Sequence, residues 1–370
     1  MGVSPMPSRE RHGRDGHATE TDMVIDCHVH LCTFTPPHGG TSRHLLSTLP
    51  FRFMRWRLGM VGEDAGTERR LENKLLDLFA DTTMLDAVVI LAFDAVYADD
   101  GQLDHANTHL YVTNDYVAGL SRRHRNLLFG ASVHPYRKDA VAELERCIAR
   151  RAVLLKWLPI VQNFNPADPR CFPLYEILAH HKVPLLCHTG GEKSLPNLDT
   201  SVADPMLLEP ALRRGVTVIG AHCGTRSAPG ETDFLPNWIH LAREYKHFYG
   251  DTAALNLPTR CYAYQALLDD DLLRSKLIHG SDWPILPVPP ACVGTGNWFE
   301  LMSEENWLRR DVQIKQSLGF DDAYWLRAAR VLALRDACKT APAPYNSSPL
   351  LPDNKSSGPR AGSSAGRAMD

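Results

Sequence analysis

Val24-Ile25-Asp26-Cys27-His28-Val29-His30-Leu31 is a mostly apolar stretch that ends in two closely spaced histidines. Such a run predicts a short, buried β-strand. Because successive side chains of a strand point to opposite faces, Asp26, His28 and His30 share one face. Two imidazoles side by side at a strand end can form half of a metal site. Alone, the pair is weak evidence, since one histidine can cap the strand while the other packs in a polar core.

Further apolar runs follow this stretch, and most are separated by segments with helical spacing. The predicted strands are 24–31, 86–92, 127–134, 152–159, 183–188, 216–222, 247–251 and 276–282. The predicted helices are 71–79, 114–124, 139–151, 173–181, 205–214, 238–246, 262–273 and 324–334. Eight such βα units close into a barrel through their helical crossovers. A doubly wound open sheet is the main alternative, but no Gly-x-Gly-x-x-Gly turn follows the first strand. The sequence therefore predicts a TIM-type (β/α)8 barrel, which is an α/β fold.

The barrel is predicted to occupy residues 23–337, between polar tails at 1–22 and 338–370 that we expect to be disordered. Two insertions are predicted, 32–66 after strand one and 291–320 after strand eight. The first contains Phe51-Arg52-Phe53-Met54-Arg55-Trp56-Arg57, which is both basic and aromatic. Two interpretations have equal weight. The segment forms a lid or substrate wall, with arginines for an anionic substrate, or its aromatic side chains simply pack on the barrel rim.

Composition limits the class of function. The chain has 370 residues, 44% of them hydrophobic, and a net charge of -3. This balance does not favour nucleic acid or a membrane surface as a partner, so we expect a small-molecule substrate. No apolar run approaches the ~18 residues of a membrane span, and the N-terminus lacks the apolar core of a signal peptide. Nine scattered cysteines without a Cys-x-x-Cys motif predict a reduced, cytoplasmic protein.

Residues that can bind metals end several of the predicted strands. They are His28 and His30 on strand one, Lys156 on strand four, His188 on strand five, His222 on strand six and Asp282 on strand eight. In a barrel these positions meet at the C-terminal rim, where active sites form. Each has an ordinary structural explanation alone, but together they offer nitrogen and oxygen donors with no thiolate pattern. The set predicts a divalent-metal site, with Zn²⁺ favoured and Mn²⁺ or Fe²⁺ as alternatives.

Other polar residues near the predicted rim have weaker signals. His134 precedes a proline, and we expect it to be structural. Arg137 is expected to be a solvated loop charge rather than an anion clamp. Asp251 ends strand seven and faces the same mouth, where it can support a metal ligand from behind. Gly190-Gly191-Glu192 predicts a flexible loop that forms a substrate wall.

Four segments together resemble the amidohydrolase superfamily. They are Asp26-Cys27-His28-Val29-His30, Cys187-His188-Thr189, Ala221-His222-Cys223-Gly224 and Gly280-Ser281-Asp282-Trp283-Pro284. The chain looks most similar to the amidohydrolase-related branch (amidohydrolase 2), which includes metal-dependent hydrolases and non-oxidative decarboxylases. The resemblance covers residues 23–337. These motifs are specific for fold and metal dependence, but they do not identify the substrate.

The resemblance implies two models of the metal site. In the mononuclear model, which we favour, one ion is held by His28, His30, His188 and Asp282. His222 is then free to act as an acid, a base or a polarising group. In the binuclear model, Lys156 is carboxylated and bridges two ions, with His188 and His222 on the second. Without that modification, Lys156 is an ammonium group that pairs with the substrate or with Asp282.

The resemblance further implies a hydrolase that activates water with its metal and cleaves an amide, ester or lactone of a small organic substrate. Asp282 is then the base, and His222 polarises the substrate carbonyl or stabilises the oxyanion. The alternative is a decarboxylase (a lyase) of an aromatic or unsaturated carboxylic acid, favoured if the arginines of the first insertion hold that acid. A third hypothesis is a barrel that binds metal without catalysis. Members of this branch often form homodimers, although nothing in the sequence marks an interface.

Overall fold

Eight short parallel strands lie at the centre of the structure and form one sheet. The computed structural model describes residues 22–291 and 295–334, so the predicted tails, except for Asp22, lie outside the described residues. In chain order, the strands of the described residues are β1 (Ile25–His30), β2 (Gly39–Thr41), β3 (Ala87–Leu91), β4 (Leu110–Val112), β5 (Leu127–Ala131), β6 (Leu154–Trp157), β7 (Leu185–His188), β8 (Val218–Ala221), β9 (Phe248–Asp251) and β10 (Leu277–Ile278). Of these, β2 and β4 form a separate small sheet, and the other eight form the central one. In the sheet the order is β1-β3-β5-β6-β7-β8-β9-β10. All of these neighbours pair in parallel.

The last strand returns to the first and closes the barrel. Backbone hydrogen bonds run from Cys27 N to His279 O at 3.0 Å and from Asp282 N to His28 O at 2.9 Å. A third runs from His30 N to Trp283 O at 2.7 Å. The TIM-type (β/α)8 barrel predicted from the sequence is therefore confirmed. Closure also has a local consequence, because it places the end of strand eight beside the two histidines of strand one.

Helices surround the strands and end most of the βα units. They are α1 (Arg43–Ser47), α2 (Leu49–Arg57), α3 (Ala65–Asp81), α4 (Asn114–Arg123), α5 (Ala140–Ala149), α6 (Pro159–Gln162), α7 (Phe172–His181), α8 (Glu209–Arg213), α9 (Leu235–Glu244), α10 (Ala263–Leu268), α11 (Asp271–Ser275), α12 (Thr295–Ser303), α13 (Trp307–Ser317), α14 (Asp322–Trp325) and α15 (Arg327–Val331). Local signals set several of the boundaries. The Asp64 side chain, for example, accepts from Thr67 N and caps α3.

The strand sequences explain their burial. In β3, every residue of Ala-Val-Val-Ile-Leu is buried, as expected for a parallel strand covered on both faces. One face points into the barrel and the other toward the helices. Among the described residues, no helix is both long and apolar enough to cross a membrane.

Some predicted boundaries are wrong. Strand eight was expected over 276–282 but contains only Leu277–Ile278, because the chain then leaves the sheet ladder to make the contacts that close the barrel. The helix expected over 262–273 is divided into α10 and α11, and the closing helix expected over 324–334 is divided into α14 and α15. The break between α14 and α15 falls at Leu326.

The stretch between β1 and α3 contains two helices and β2, which is one strand of a small accessory sheet. β2 pairs antiparallel with β4, and α1 and α2 follow β2 along the chain. The basic, aromatic segment 51–57 lies within α2. After strand eight, the described part of 291–320 contains α12 and α13.

Candidate metal centre

Two strand ends bring three metal-binding side chains together. His28 and His30 lie two residues apart on β1, and their Nε2 atoms are 3.0 Å apart. Asp282, brought alongside by barrel closure, places Oδ1 3.3 Å from His28 Nε2 and 3.6 Å from His30 Nε2. Within the described ranges, these are the residues whose ligand atoms cluster as a metal site would require. We call His28, His30 and Asp282 the metal-site cluster.

The protonation states of the two histidines in this cluster suit a cation. Burial, reinforced by the nearby Lys156, lowers the pKa of His28 well below its usual value and that of His30 to about 3. Both imidazoles are therefore neutral near pH 7 and present lone pairs rather than charges. Burial also raises the pKa of Asp282 well above the usual range, although Lys156 acts in the opposite direction. A divalent cation would satisfy these converging lone pairs, so the residues present fit a metal ion.

Asp251 fixes two members of the site from behind. Its Oδ2 lies 2.7 Å from His28 Nδ1, and its Oδ1 accepts a hydrogen bond from His222 N at 2.8 Å. A carboxylate can only accept when ionised, so His28 carries its proton on Nδ1 and turns the lone pair of Nε2 toward the cluster. The supporting contact predicted for Asp251 is therefore present.

Lys156 is 1% exposed, and its ammonium group lies beside the metal-site cluster. Its Nζ lies 3.2 Å from His28 Nε2, within reach of a hydrogen bond to that lone pair. Burial lowers the pKa of Lys156, while Asp251 and Asp282 raise it. The expected pairing with Asp282 is thus a charge interaction through space, and the direct contact is with His28. Carboxylation of Lys156 stays a prediction.

His188 and His222 form a second pair of imidazoles. His222 Nε2 lies 3.2 Å from His188 Nδ1, and His222 Nδ1 lies 2.8 Å from Ala253 O. A carbonyl oxygen can only accept, so His222 is protonated on Nδ1 and has its lone pair on Nε2. His188 turns Nε2 toward Gly191 O at 3.2 Å, and it does not join the metal-site cluster. Its assignment as a metal ligand therefore stays a prediction.

The backbone is strained at two of these positions. His222 has a φ of 60° and Asp282 has a φ of 63°, in the left-handed region that non-glycine residues rarely occupy. Such conformations persist only where the surrounding structure imposes them, and they are concentrated at functional sites. Here they turn both side chains at the ends of β8 and β10 toward the barrel mouth.

A pocket adjoins the metal-site cluster. His188, Glu192 and His222 also line it, and most of the remaining lining is apolar. We call this space the mouth pocket.

One known protein family matches the part of the sequence that contains these site residues. The family model described as Amidohydrolase matches residues 25–306 of the chain. The chain belongs to the amidohydrolase family. This family is typically metal-dependent, and its members include both hydrolases and decarboxylases.

Solved amidohydrolase-like structures share the fold at low sequence identity. An uncharacterised TIM-barrel protein from Bordetella bronchiseptica is 17% identical, with 80% of this chain and 99% of that chain covered at a TM-score of 0.52. A probable 2-pyrone-4,6-dicarboxylic acid hydrolase from Acinetobacter baumannii is 15% identical, with 82% and 97% covered at a TM-score of 0.50. The 5-carboxyvanillate decarboxylase from Sphingomonas paucimobilis is 12% identical, with 84% and 98% covered at a TM-score of 0.48. No curated protein matches the sequence significantly.

Two further residues beside the amidohydrolase site were not singled out individually in the sequence. Glu192 lines the mouth pocket and places Oε2 3.9 Å from His188 Nδ1, which agrees with the wall predicted for its loop. Arg260 is 3% exposed and donates to Thr225 O at 2.8 Å and to Gly191 O at 2.5 Å. It holds the loop after β7 in place. Its position in the loop after β9 gives no pattern that could have identified it.

A second buried polar group lies near the end of β5, away from the lining of the mouth pocket. Asp94 accepts from Arg137 Nη1 at 3.2 Å and from His134 N at 2.7 Å, while His134 Nε2 contacts Gln162 O at 2.8 Å. We call Asp94, His134 and Arg137 the Asp94 cluster. His134 is structural, as expected. The prediction of a solvated Arg137 is wrong, because its side chain is only 14% exposed and also pairs with Asp139.

Proposed function

We propose that this amidohydrolase is a metal-dependent hydrolase that cleaves an amide, ester or lactone of a small organic substrate. The observation that carries the proposal is the convergence of His28, His30 and Asp282 beside the mouth pocket. Their nitrogen and oxygen donors favour Zn²⁺, with Mn²⁺ or Fe²⁺ as alternatives. One ion is favoured, and a second would require carboxylated Lys156.

In this proposal the metal-site cluster holds the ion, which supplies Lewis acidity that polarises a carbonyl and makes a nearby water more acidic. Asp282 also lines the mouth pocket, so its carboxylate can take the proton of the attacking water as general base. Asp251 keeps His28 in the tautomer whose Nε2 faces the cluster. Lys156 contributes positive charge next to Asp282 and favours its ionised form.

His222 has a proposed role that depends on its tautomer. Its Nδ1 proton is committed to Ala253 O, so the neutral ring presents a proton acceptor at Nε2. His222 therefore first receives at Nε2 the proton that Asp282 takes from the attacking water, and its Nε2–H can then stabilise the oxyanion or protonate the leaving group. This order agrees with the expected oxyanion stabilisation and differs from the alternative in which His222 polarises the substrate carbonyl from the outset.

The side chains that line the pocket support the hydrolase. The alternative decarboxylase is favoured if arginines of the first insertion hold the carboxylate of an aromatic or unsaturated acid. Among the described residues that line the mouth pocket, none is Lys or Arg. This composition supports a substrate whose polar group is a neutral acyl group rather than a carboxylate.

Metal content and turnover together test the proposal. Protein purified without chelator should contain one divalent ion per chain, hydrolyse members of a panel of esters, amides and lactones, lose activity with a chelator and regain it with Zn²⁺. His28→Ala should lose both the ion and the activity. Release of CO₂ from aromatic or unsaturated acids, without hydrolysis of the acyl panel, would replace the hydrolase with the decarboxylase. Turnover of neither panel by metal-loaded protein would favour the non-catalytic hypothesis.

Lys156→Arg distinguishes the two metal models. Arginine cannot carry the bridging carbamate, so this variant of a binuclear enzyme should lose one of its two ions. A variant that kept two ions would contradict the bridging role of Lys156. One ion in both proteins is the result expected from the mononuclear model.

A further inference from the structure

The mouth pocket is polar at the metal-site cluster and apolar over most of the rest of its lining. β1 leads into Leu31 and Cys32, α2 contributes Phe51 and Met54, and α3 contributes Leu71. Small-molecule sites usually combine an apolar lining with a few polar groups that orient the ligand. Here the polar groups are concentrated at one place, which is where the proposed reaction occurs.

The part of this lining that comes from α2 and its C-cap residue, Leu58, has a helical pattern. Phe51, Met54 and Leu58 are spaced i, i+3 and i+7, which places them on one face of the helix. Phe51 is 6% exposed, whereas Phe53, two residues later, is 44% exposed. The helix therefore turns its apolar face to the mouth pocket. We call Phe51, Met54 and Leu58 the α2 wall.

The arginines of α2 lie on its other faces. Arg52 and Arg57 are exposed, and the Arg57 guanidinium lies 5.7 Å from the centres of the Trp56 and Trp307 rings. Arg55 Nη1 is 3.5 Å from Glu63 Oε1 and Arg55 Nη2 donates to Gly62 O at 3.2 Å. These arginine side chains are therefore either exposed to solvent or in contact with other groups of the protein. The hypothesis that they receive an anionic substrate has no support in these contacts.

Charge and burial together restrict what can lie against the α2 wall. A carboxylate that left water for this surface would find no cationic side chain among the described lining residues. A hydrocarbon group would instead bury apolar area on both sides and gain free energy for each methylene.

We propose that the substrate has an uncharged alkyl or aryl body that packs against the α2 wall, with its one cleavable acyl group at the metal-site cluster. The substrate class is a hydrophobic ester, amide or lactone with no second anionic group. This inference rests on the proposed function for the acyl group, but the α2 wall and its preference for apolar ligands can be measured without turnover.

Equilibrium binding of methyl ketones tests the inference, because a ketone carries the carbonyl group but has no bond to hydrolyse. The series runs from 2-butanone to 2-decanone and is measured by calorimetry on metal-loaded protein. Affinity should rise about three- to fourfold for each added methylene until the pocket is full. Keto acids of matched length, with a carboxylate at the far end, should bind at least tenfold more weakly than the corresponding ketones.

Two matched substitutions on α2 locate the effect. Phe51→Ala should flatten the dependence of affinity on chain length, and Phe53→Ala, at the exposed position on the same helix, should leave it unchanged. Because Phe51 also packs in the core, Met54→Gln is a second test at a half-buried position, and it should lower the affinity for 2-decanone about tenfold or more. Metal content should be the same in all three variants.

The outcomes separate this inference from the proposed function. Affinity that does not depend on chain length, or keto acids that bind more tightly than ketones, would contradict the proposal that the substrate has an uncharged apolar body. If affinity still rises with chain length in both Phe51→Ala and Met54→Gln, the α2 wall does not bind the substrate's apolar body. If the ketones bind as expected but no acyl substrate is hydrolysed, the inference holds and the proposed hydrolase is wrong.

Discussion

The metal-site cluster and the Asp94 cluster are both buried groups of carboxylate and histidine near the C-terminal ends of barrel strands. In the Asp94 cluster each charge meets an opposite charge, and the acceptors of Asp94 receive hydrogen bonds from Arg137 and His134. In the metal-site cluster, by contrast, three acceptors face one another and, among the described residues, only one donor, Lys156 Nζ, lies within reach, 3.2 Å from His28 Nε2. The two Nε2 atoms of His28 and His30 are only 3.0 Å apart, with Asp282 beside them.

The difference shows which feature of a buried polar group indicates chemistry. Burial and a shifted pKa occur in both clusters, so neither property distinguishes them. A group whose hydrogen bonds are complete needs nothing further and stabilises the fold. A group of converging lone pairs is costly unless a cation binds there. The comparison predicts that substitutions in one cluster change metal binding and turnover, while substitutions in the other change stability.

Asp282→Asn should have the largest effect. The amide retains the shape of the side chain but cannot accept the proton of the attacking water, so we expect kcat to fall by about 10²- to 10⁴-fold. That range corresponds to about 3–5 kcal/mol. Steady-state kinetics should be measured on protein whose metal content has been determined. Turnover close to that of the wild type would remove Asp282 from the mechanism.

Arg137→Gln should have the next largest effect, but on stability. It leaves the Asp94 carboxylate buried without its cation, which we expect to lower the free energy of unfolding by about 3 kcal/mol. Urea denaturation measures this change, and metal content should not alter. Arg146→Gln is a matched control, because the Arg146 side chain is 44% exposed and its ion pairs should contribute less than about 1 kcal/mol. Equal losses in the two variants would contradict the structural role of the buried pair.

Asp251→Asn tests the support behind the metal-site cluster. Loss of the negative charge weakens the hold on the His28 tautomer, so affinity for the metal should fall about 10- to 100-fold. Competition with a metal-binding dye measures this affinity directly. The same substitution in the other cluster, Asp94→Asn, should leave it unchanged. An equal loss in both variants would mean that general destabilisation, rather than support of His28, causes the effect.

The barrel and much of this contrast could be predicted because they depend on local patterns. A fully apolar run such as β3 is typical of a parallel strand, and the alternation of β1 places His28 and His30 on one face. The proximity of Asp282 follows once eight strands close. Those inferences needed only the sequence period and the topology of the fold.

Pairing between residues far apart in the chain could not be predicted in this way. Arg137 looked like a solvated charge because its partner, Asp94, lies 43 residues earlier. Likewise, the polar sequence of α13 does not indicate that Asp311 and Lys315 are buried and form an ion pair with each other. The direction of the His188 ring depends on the loop at Gly191, whose conformation no local motif determines.

His134 provides the smallest predicted effect and the sharpest test of the Asp94 cluster. Burial lowers the pKa of this histidine from 6.5 to about 4. Between these values the unfolded chain binds a proton that the folded chain does not, so stability is present above pH 6.5 and is lost as the pH falls toward 4. At pH 5.5 the expected loss from this group is about 1.4 kcal/mol.

This loss should appear as the difference between wild type and His134→Gln in urea denaturation at pH 7.5 and 5.5, with metal bound in both. Because His134 does not line the mouth pocket, metal content should stay the same in the variant. Parallel stability curves for the two proteins would show that His134 does not titrate on unfolding, and the Asp94 cluster would then contribute no pH dependence through this residue.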